Sequence, residues 1–545
     1  MKLRPLFPAL LAASLLVSAI GAAGCSGAPE AAKGTTPATT ASDAAGRFEL
    51  VESSITDLQR ALSSGQVTSQ ALVAMYQARI AAYDSGGPKL NSVSVQSPQA
   101  ADEASALDAE RSADRVRGPL HGIPIIVKDN YETANMQTAA GSRALAGYIP
   151  KRDAFVITRL KKAGAIILAK ANMDEFGLGI AGQGSLYGQV HNPYGLDRSP
   201  GGSSAGPAAA VAANLAAAAL GTDTCGSIRM PAAHNALVGL RGTQGLMSRT
   251  GLVPLSHTQD MAAPIARNVT DVAILLDALV GYDPEDAQTA EGVARSPRSY
   301  AGGLDAGALE GARIGLLTSL QGKGPEHQVV NAIIKKAAAD MEARGATVVE
   351  IADDIDELLR PDKFKGFIVP AHEVKRDLTA YLESLPNKPP ATTIDQLLAA
   401  PPPALATFWL KTAQSLDPGA KEYTDALLRR NQLRQALLVA MARNNVDVLA
   451  FPTYRVPPES LKGEEVAESN NCMAGSNSGL PSISVPAGWT ADELPVGIEL
   501  LGRAWSEAQL LRIAYAFEQA THHRRAPKLT PALPAAGNEP KKEAP

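Results

Sequence analysis

The stretch from Asn192 to Pro231 limits what this chain can be: N-P-Y-G-L-D-R-S-P-G-G-S-S-A-G-P-A-A-A-V-A-A-N-L-A-A-A-A-L-G-T-D-T-C-G-S-I-R-M-P. Two Gly/Ser-rich turns, Gly201 to Gly206 and Gly221 to Ser227, bracket an alanine-rich run from Ala208 to Leu220. Glycine lets a backbone bend tightly and approach a ligand closely. Runs of such turns can aim several N–H groups at one point, which suits an anion or an oxyanion. Each turn also carries a small hydroxyl, Ser203 and Ser227. A flexible linker has no reason to carry the fixed polar set Asp223, Thr224, Ser227 and Arg229.

These motifs, G-G-S-S-A-G-P-A-A-A-V-A-A and then G-T-D-T-C-G-S-I-R-M-P-A-A, closely resemble the amidase signature family. That family hydrolyses carboxamides with a Ser–Ser–Lys triad. Its lysine ends an apolar strand upstream, and G-I-P-I-I-V-K-D-N matches here, giving Lys128. The resemblance implies Ser227 as nucleophile, Ser203 as bridging serine and Lys128 as base. The family pattern selects Ser203 over its neighbour Ser204. It also implies an oxyanion hole from the backbone N–H groups of Thr224, Cys225, Gly226 and Ser227. Many members have glycine where this chain has Cys225. The expected fold is α/β, a large twisted mixed β-sheet between helical layers. Neither cofactor nor metal is implied. The expected substrate is a small-molecule or peptide amide, with water as acceptor. The resemblance runs from about Ile55 to about Arg525, with a weaker middle.

Composition narrows the alternatives. The chain has 545 residues, 45% of them hydrophobic, which is ample for a large core. Net charge is −4, no basic cluster stands out, and aromatic residues are 4%, so neither a nucleic-acid footprint nor a polybasic membrane patch is apparent. Cys25, Cys225 and Cys472 make no disulfide framework and lack metal-ligand spacing. The eight histidines are scattered.

The N-terminus reads as a targeting segment. Lys2 and Arg4 precede an apolar, uncharged run, Leu6 to Ile20, too short for a comfortable membrane span. Ala22-Ala23-Gly24-Cys25 resembles a bacterial lipobox. Residues 1–24 are then a signal peptide, and Cys25 is the lipidated first residue of an exported protein anchored to the cell envelope. Ordinary secretory cleavage, giving a periplasmic or secreted protein, is the alternative. Residues 25–47 are rich in Ala, Thr, Ser, Gly and Pro and read as a disordered tether. An amidase domain is expected over 48–525 and a disordered tail over 526–545.

Within the domain, Thr68 caps a helix in which Leu72, Met75, Tyr76, Arg79, Ile80 and Tyr83 recur at helical spacing. A second helix is expected over Pro98 to Asp114. Ile123 to Val127 reads as a buried strand, and a helix and strand follow over 154–169. Met173 to Gly188 is a Gly-rich loop. Helices alternating with apolar strands argue for a layered α/β fold. In the variable part, 283–450, Arg313 to Leu317, Val329 to Arg344 and Thr347 to Ile351 form a strand–helix–strand unit. Leu385 to Pro403 is proline-rich loop. By resemblance this part shapes the substrate funnel.

An amide needs an activated nucleophile, an oxyanion site and a proton for the departing nitrogen. Lys128 can accept a proton only when neutral, and burial after an apolar strand depresses its pKa. Cys225 as a thiol nucleophile is a rival reading, against a small packing residue. His234, close to Ser227, is either a triad histidine or a structural one. Asp223 and Arg229 hold the loop. Two other functions share the motif: an amidotransferase subunit, and a non-catalytic binding protein on the same scaffold.

Overall fold

The computed structural model describes residues 48–353, 355–359, 366–417, 419–462 and 469–534. The signal segment, Cys25 and the tether lie outside the described residues.

Eleven strands form one mixed sheet: β1 (Val93–Gln96), β2 (Pro124–Lys128), β3 (Ile166–Ala171), β4 (Ala218–Thr222), β5 (Val238–Arg241), β6 (Ala262–Ala266), β7 (Arg313–Leu317), β8 (Thr347–Ile351), β9 (Val448–Pro452), β10 (Ser482–Trp489) and β11 (Pro495–Leu501). Their order across the sheet is β1-β3-β2-β4-β6-β5-β10-β11-β9-β7-β8. β2 runs parallel to β3 and to β4, while β4 and β6 are antiparallel. Every residue of β2, β3, β4 and β6 is buried, which is why these segments read as unbroken apolar runs rather than as alternating ones. Helices flank the sheet, so the expected class, an α/β fold built on a large mixed sheet, describes the molecule.

The alanine-rich run splits into two elements. Helix α1 (Ala205–Ala212) turns at Asn214, whose φ is +58°, and the chain re-enters the sheet as β4. Asparagine tolerates this left-handed conformation. All eight residues of α1 are buried, and a Cβ on Gly206 would lie 2.2 Å from the Asn172 carbonyl oxygen. Small side chains let the helix sit this deep. After β4, Gly226 leads into helix α2 (Arg229–His234).

The Thr68-capped helix forms over Ser69–Arg79, with the Thr68 hydroxyl accepting from the Ala71 N–H. It continues as a wider π turn over Ile80–Ser85. The strand–helix–strand unit of the variable part is β7, α3 (Gln328–Glu342) and β8, with β7 and β8 parallel at one edge of the sheet. Two longer helices follow, α4 (Ile368–Ser384) and α5 (Lys421–Arg443). Two expectations change. The 385–403 loop contains a short helix, Ile394–Ala399, fixed by a Thr393/Gln396 capping box. The expected tail is packed down beyond 526: Thr530 is buried, and Arg79 donates to the Thr530 and Pro531 carbonyls at 2.8 Å.

Candidate active site

Neighbouring parallel strands bring the central groups together. Val127 of β2 pairs with Leu220 of β4, so Lys128 and Thr222 leave the sheet side by side at its carboxyl end. The Lys128 ammonium nitrogen donates to Ser203 Oγ and to Thr222 Oγ1, each at 2.8 Å. Asn130 Nδ2 donates to the same threonine oxygen at 3.2 Å. Lys128 is completely buried, and burial pulls its pKa down to about 7, although Asp174, Asp223 and Asp260 each favour the charged form. A lysine poised there can shed or take up a proton near neutrality.

Ser203 and Ser227 are both buried and lie alongside each other through the backbone: the Ser204 N–H donates to the Ser227 carbonyl at 3.0 Å. Their hydroxyls do not hydrogen-bond each other in this conformation. Ser227 stands at the end of the turn that Gly226 makes. Gly226 has φ +79°, and a Cβ there would meet Cys472 Cβ at 2.6 Å, so both the turn and the close approach require glycine.

A buried charge network holds this turn. Asp223 receives Arg229 Nε at 3.1 Å, Arg229 Nη2 at 3.2 Å and Arg241 Nη1 at 2.8 Å. It also accepts from the N–H groups of Gly226 at 2.9 Å and Ile228 at 3.3 Å. Arg229 Nη1 reaches Glu499 on β11 at 2.5 Å. Burial alone would raise the Asp223 pKa, but Arg229 and Arg241 outweigh it and hold the carboxyl well below the usual range. Asp223 and Arg229 therefore hold the loop, as the motif suggests. The Gly226 amide is already donating to Asp223, which removes it from the four-amide oxyanion set. The amides of Thr224, Cys225 and Ser227 remain.

The cysteines overturn an expectation. Cys225 and Cys472 form a disulfide with Cα atoms 5.3 Å apart, although 247 positions separate them. Cys225 is thus neither a free thiol nor a simple packing residue, and the rival thiol nucleophile falls away. His234 packs edge-on against Tyr454 with ring centroids 4.8 Å apart, and burial lowers its pKa to about 4. It makes no hydrogen bond to Ser227 and is structural.

The surrounding carboxylates are also tied to backbone. Asp174 accepts from the N–H groups of Ala181, Gly182 and Gln183, which fixes the Gly-rich loop against the site. Asp260 accepts the Thr224 hydroxyl at 2.5 Å and the amides of Leu255 and Ser256. Helix α4 of the variable part docks on this same segment: Glu373 accepts the hydroxyls of Ser256 and Thr258, and Asp377 accepts the His257 N–H. A cleft of about 530 Å³ opens beside this junction, lined in part by Arg249, Leu252, His257, Asp260 and Asp377. The sequence does not single out Thr222, Asn130, Asp174 or Cys472. The first threonine of G-T-D-T lies within the motif, but only the strand pairing shows that it faces Lys128.

A family model described as Amidase matches residues 71–511. The A subunit of the glutamyl-tRNA(Gln) amidotransferase from Moorella thermoacetica is 36% identical over 499 residues, covering 87% of this chain and 98% of that protein. The native peptide amidase of Stenotrophomonas maltophilia superposes with a TM-score of 0.81 at 36% identity, over 88% of this chain and 99% of its own. An amidase family protein from Bacillus anthracis superposes with a TM-score of 0.77 at 30% identity, over 88% and 93%. With its fold, its buried lysine and these matches taken together, the chain belongs to the Amidase family and is an amide hydrolase.

Proposed function

We propose that the protein cleaves carboxamides through a Ser227–Ser203–Lys128 relay and a covalent acyl-enzyme. The observation that carries this reading is Lys128, buried, at a pKa of about 7, and bonded to Ser203. Ser227 Oγ attacks the amide carbon while its proton passes to Ser203, and the Ser203 proton passes to neutral Lys128. The carbonyl oxygen becomes an oxyanion facing the amides of Thr224, Cys225 and Ser227. Collapse of that intermediate breaks the C–N bond, and the relay returns a proton to the departing nitrogen. Water then attacks the acyl-Ser227 ester by the reverse proton path.

The substrate class we favour is a peptide C-terminal amide or a small acyl or aryl amide, supported by the peptide amidase structures at 36–37% identity. A second reading, an amidotransferase subunit, is supported by curated relatives that match over almost their whole length. Export would favour the hydrolase over the amidotransferase subunit, because a charged tRNA is cytoplasmic. The N-terminal pattern ending at Cys25 supports export and lipid anchoring, and a disulfide beside the nucleophile suits an oxidising compartment. Intact-mass measurement of the mature chain tests the anchor: an unmodified N-terminus counts against it.

The reading is tested by ammonia or amine release from an amide panel, with no partner protein added, followed across pH. Only neutral Lys128 accepts a proton. Below pH ~7, kcat/KM is therefore expected to rise about tenfold per pH unit and then level off. The limb belongs to the Ser–Lys unit rather than to one residue. Release that depends strictly on an added nucleophile other than water, or on a partner protein, would favour the amidotransferase reading. A pH-independent rate between 5 and 9 would contradict Lys128 as the base (window set around a pKa of about 7).

A further inference from the structure

The residues of the turn before Ser227 are held by backbone or carboxylate hydrogen bonds, with one exception. Asp223 is fixed by Arg229 and Arg241, Thr224 by Asp260, and Gly226 by Asp223. Cys225 is the exception. Among the described residues, neither its N–H nor its carbonyl has a backbone partner. Its side chain supplies the anchor instead. The disulfide ties it to Cys472, the residue before helix α6 (Met473–Ser478). The Ser476 hydroxyl donates to Cys225 Sγ at 3.3 Å. The far end of the bond is itself fixed, since Arg229 Nη2 donates to the Cys472 carbonyl at 3.2 Å. Cys225 lies between two of the amides that would face the oxyanion. Its peptide plane must hold its direction for those amides to converge, and a pre-aimed donor is worth far more than one that must reorganise.

We propose that the Cys225–Cys472 disulfide is a positioning clamp for the oxyanion amides, so that full activity requires this pair oxidised. This rests on the hydrolase reading above. Forming the clamp takes two protons and two electrons from the two thiols, and a disulfide-exchanging oxidant accepts them. A small dithiol reverses it: one thiolate attacks a sulfur of the bond, and its second thiol closes on the mixed disulfide and releases both cysteines reduced. The bond thereby makes turnover depend on the redox state of the compartment.

The test uses the full chain purified without reductant. Peptide mass mapping after alkylation should find Cys225 and Cys472 linked. Reduction with dithiothreitol, verified by alkylation of both, is expected to lower kcat about tenfold or more while KM moves less than about threefold. Oxidised glutathione should restore it. Cys472→Ser should show the same low kcat with no response to reductant. Three results would overturn the clamp: both thiols free in protein isolated without reductant, verified reduction that leaves kcat within about twofold, or a loss of kcat that only follows unfolding in circular dichroism. If Cys472→Ser fails to fold, reduced wild type carries the test alone. Oxidised wild type that turns over no amide defeats the hydrolase reading itself, while a rate unmoved by reduction defeats only the clamp.

Discussion

Ser227→Ala should lose at least ~10⁴ in kcat while melting within a few degrees of the parent, because a relay without its nucleophile retains only binding and oxyanion stabilisation. The structural contact of Ser227 comes from its backbone carbonyl, which accepts from the Ser204 N–H, and alanine keeps it. Ser203→Ala and Lys128→Met should each be severe, and combining them should cost little more than the worse single change, since the proposed relay works as one unit. Methionine at 128 fills the buried site without a charge, which separates loss of the base from loss of packing. Steady-state kinetics beside circular-dichroism melting checks this. Near-parental turnover in Ser227→Ala would refute the assignment.

Arg229→Met should be among the most destabilising single changes in the molecule. Arg229, Asp223 and Glu499 are fully buried, and the guanidinium spans both carboxylates. Removing it leaves two acidic groups in the core with one cation, Arg241, on Asp223 alone. Breaking a buried pair in this way costs about 3–5 kcal/mol, because the stranded charge cannot be rehydrated. Arg229→Lys should rescue little, since an ammonium cannot fork between two carboxylates and the Cys472 carbonyl at once. The pH dependence has a definite sign. Asp223 is depressed in the fold, so its contribution is complete above the unfolded carboxyl value, about 3.9, and is lost as pH falls towards its folded value. The gap between wild type and Arg229→Met should therefore be widest near neutrality and narrow in acid. Urea unfolding at pH 7 and pH 3 reads it. An equal gap at both would show that packing, not charge, dominates.

Much of this site is legible in the sequence because it is encoded locally. Lys128 ends a run whose β-branched residues demand a buried strand, and Ser203 and Ser227 sit in turns whose glycines Gly202 and Gly226 leave no room for a Cβ. Arg313–Leu317 and Thr347–Ile351 are readable for the same reason, being short apolar runs of β-formers around a helical period. What escapes the sequence depends on distant partners. Nothing in the sequence separation of 247 between Cys225 and Cys472 indicates that β10, β11 and the helix before them fold back onto the turn that carries Ser227. The alanine run gives no periodicity, since nine of its thirteen residues are alanine. Only the left-handed turn at Asn214 divides helix from strand. Thr530 reads as tail because its neighbours are prolines, yet Arg79 takes two carbonyls there. The motif marks Gly226 as an oxyanion donor, and only the position of Asp223 shows its amide already used.

The relay is tested most directly by covalent trapping. A fluorophosphonate reacts with an activated serine hydroxyl and leaves a stable adduct that peptide mass mapping can place. Full-chain protein should carry one adduct, on Ser227. Its rate of formation should fall steeply in Lys128→Met and below pH ~7, where the lysine is protonated and cannot draw the proton through Ser203. An adduct on Ser203, Ser204 or any other serine, or labelling of Ser227 at a rate that neither acid nor loss of Lys128 changes, would contradict it.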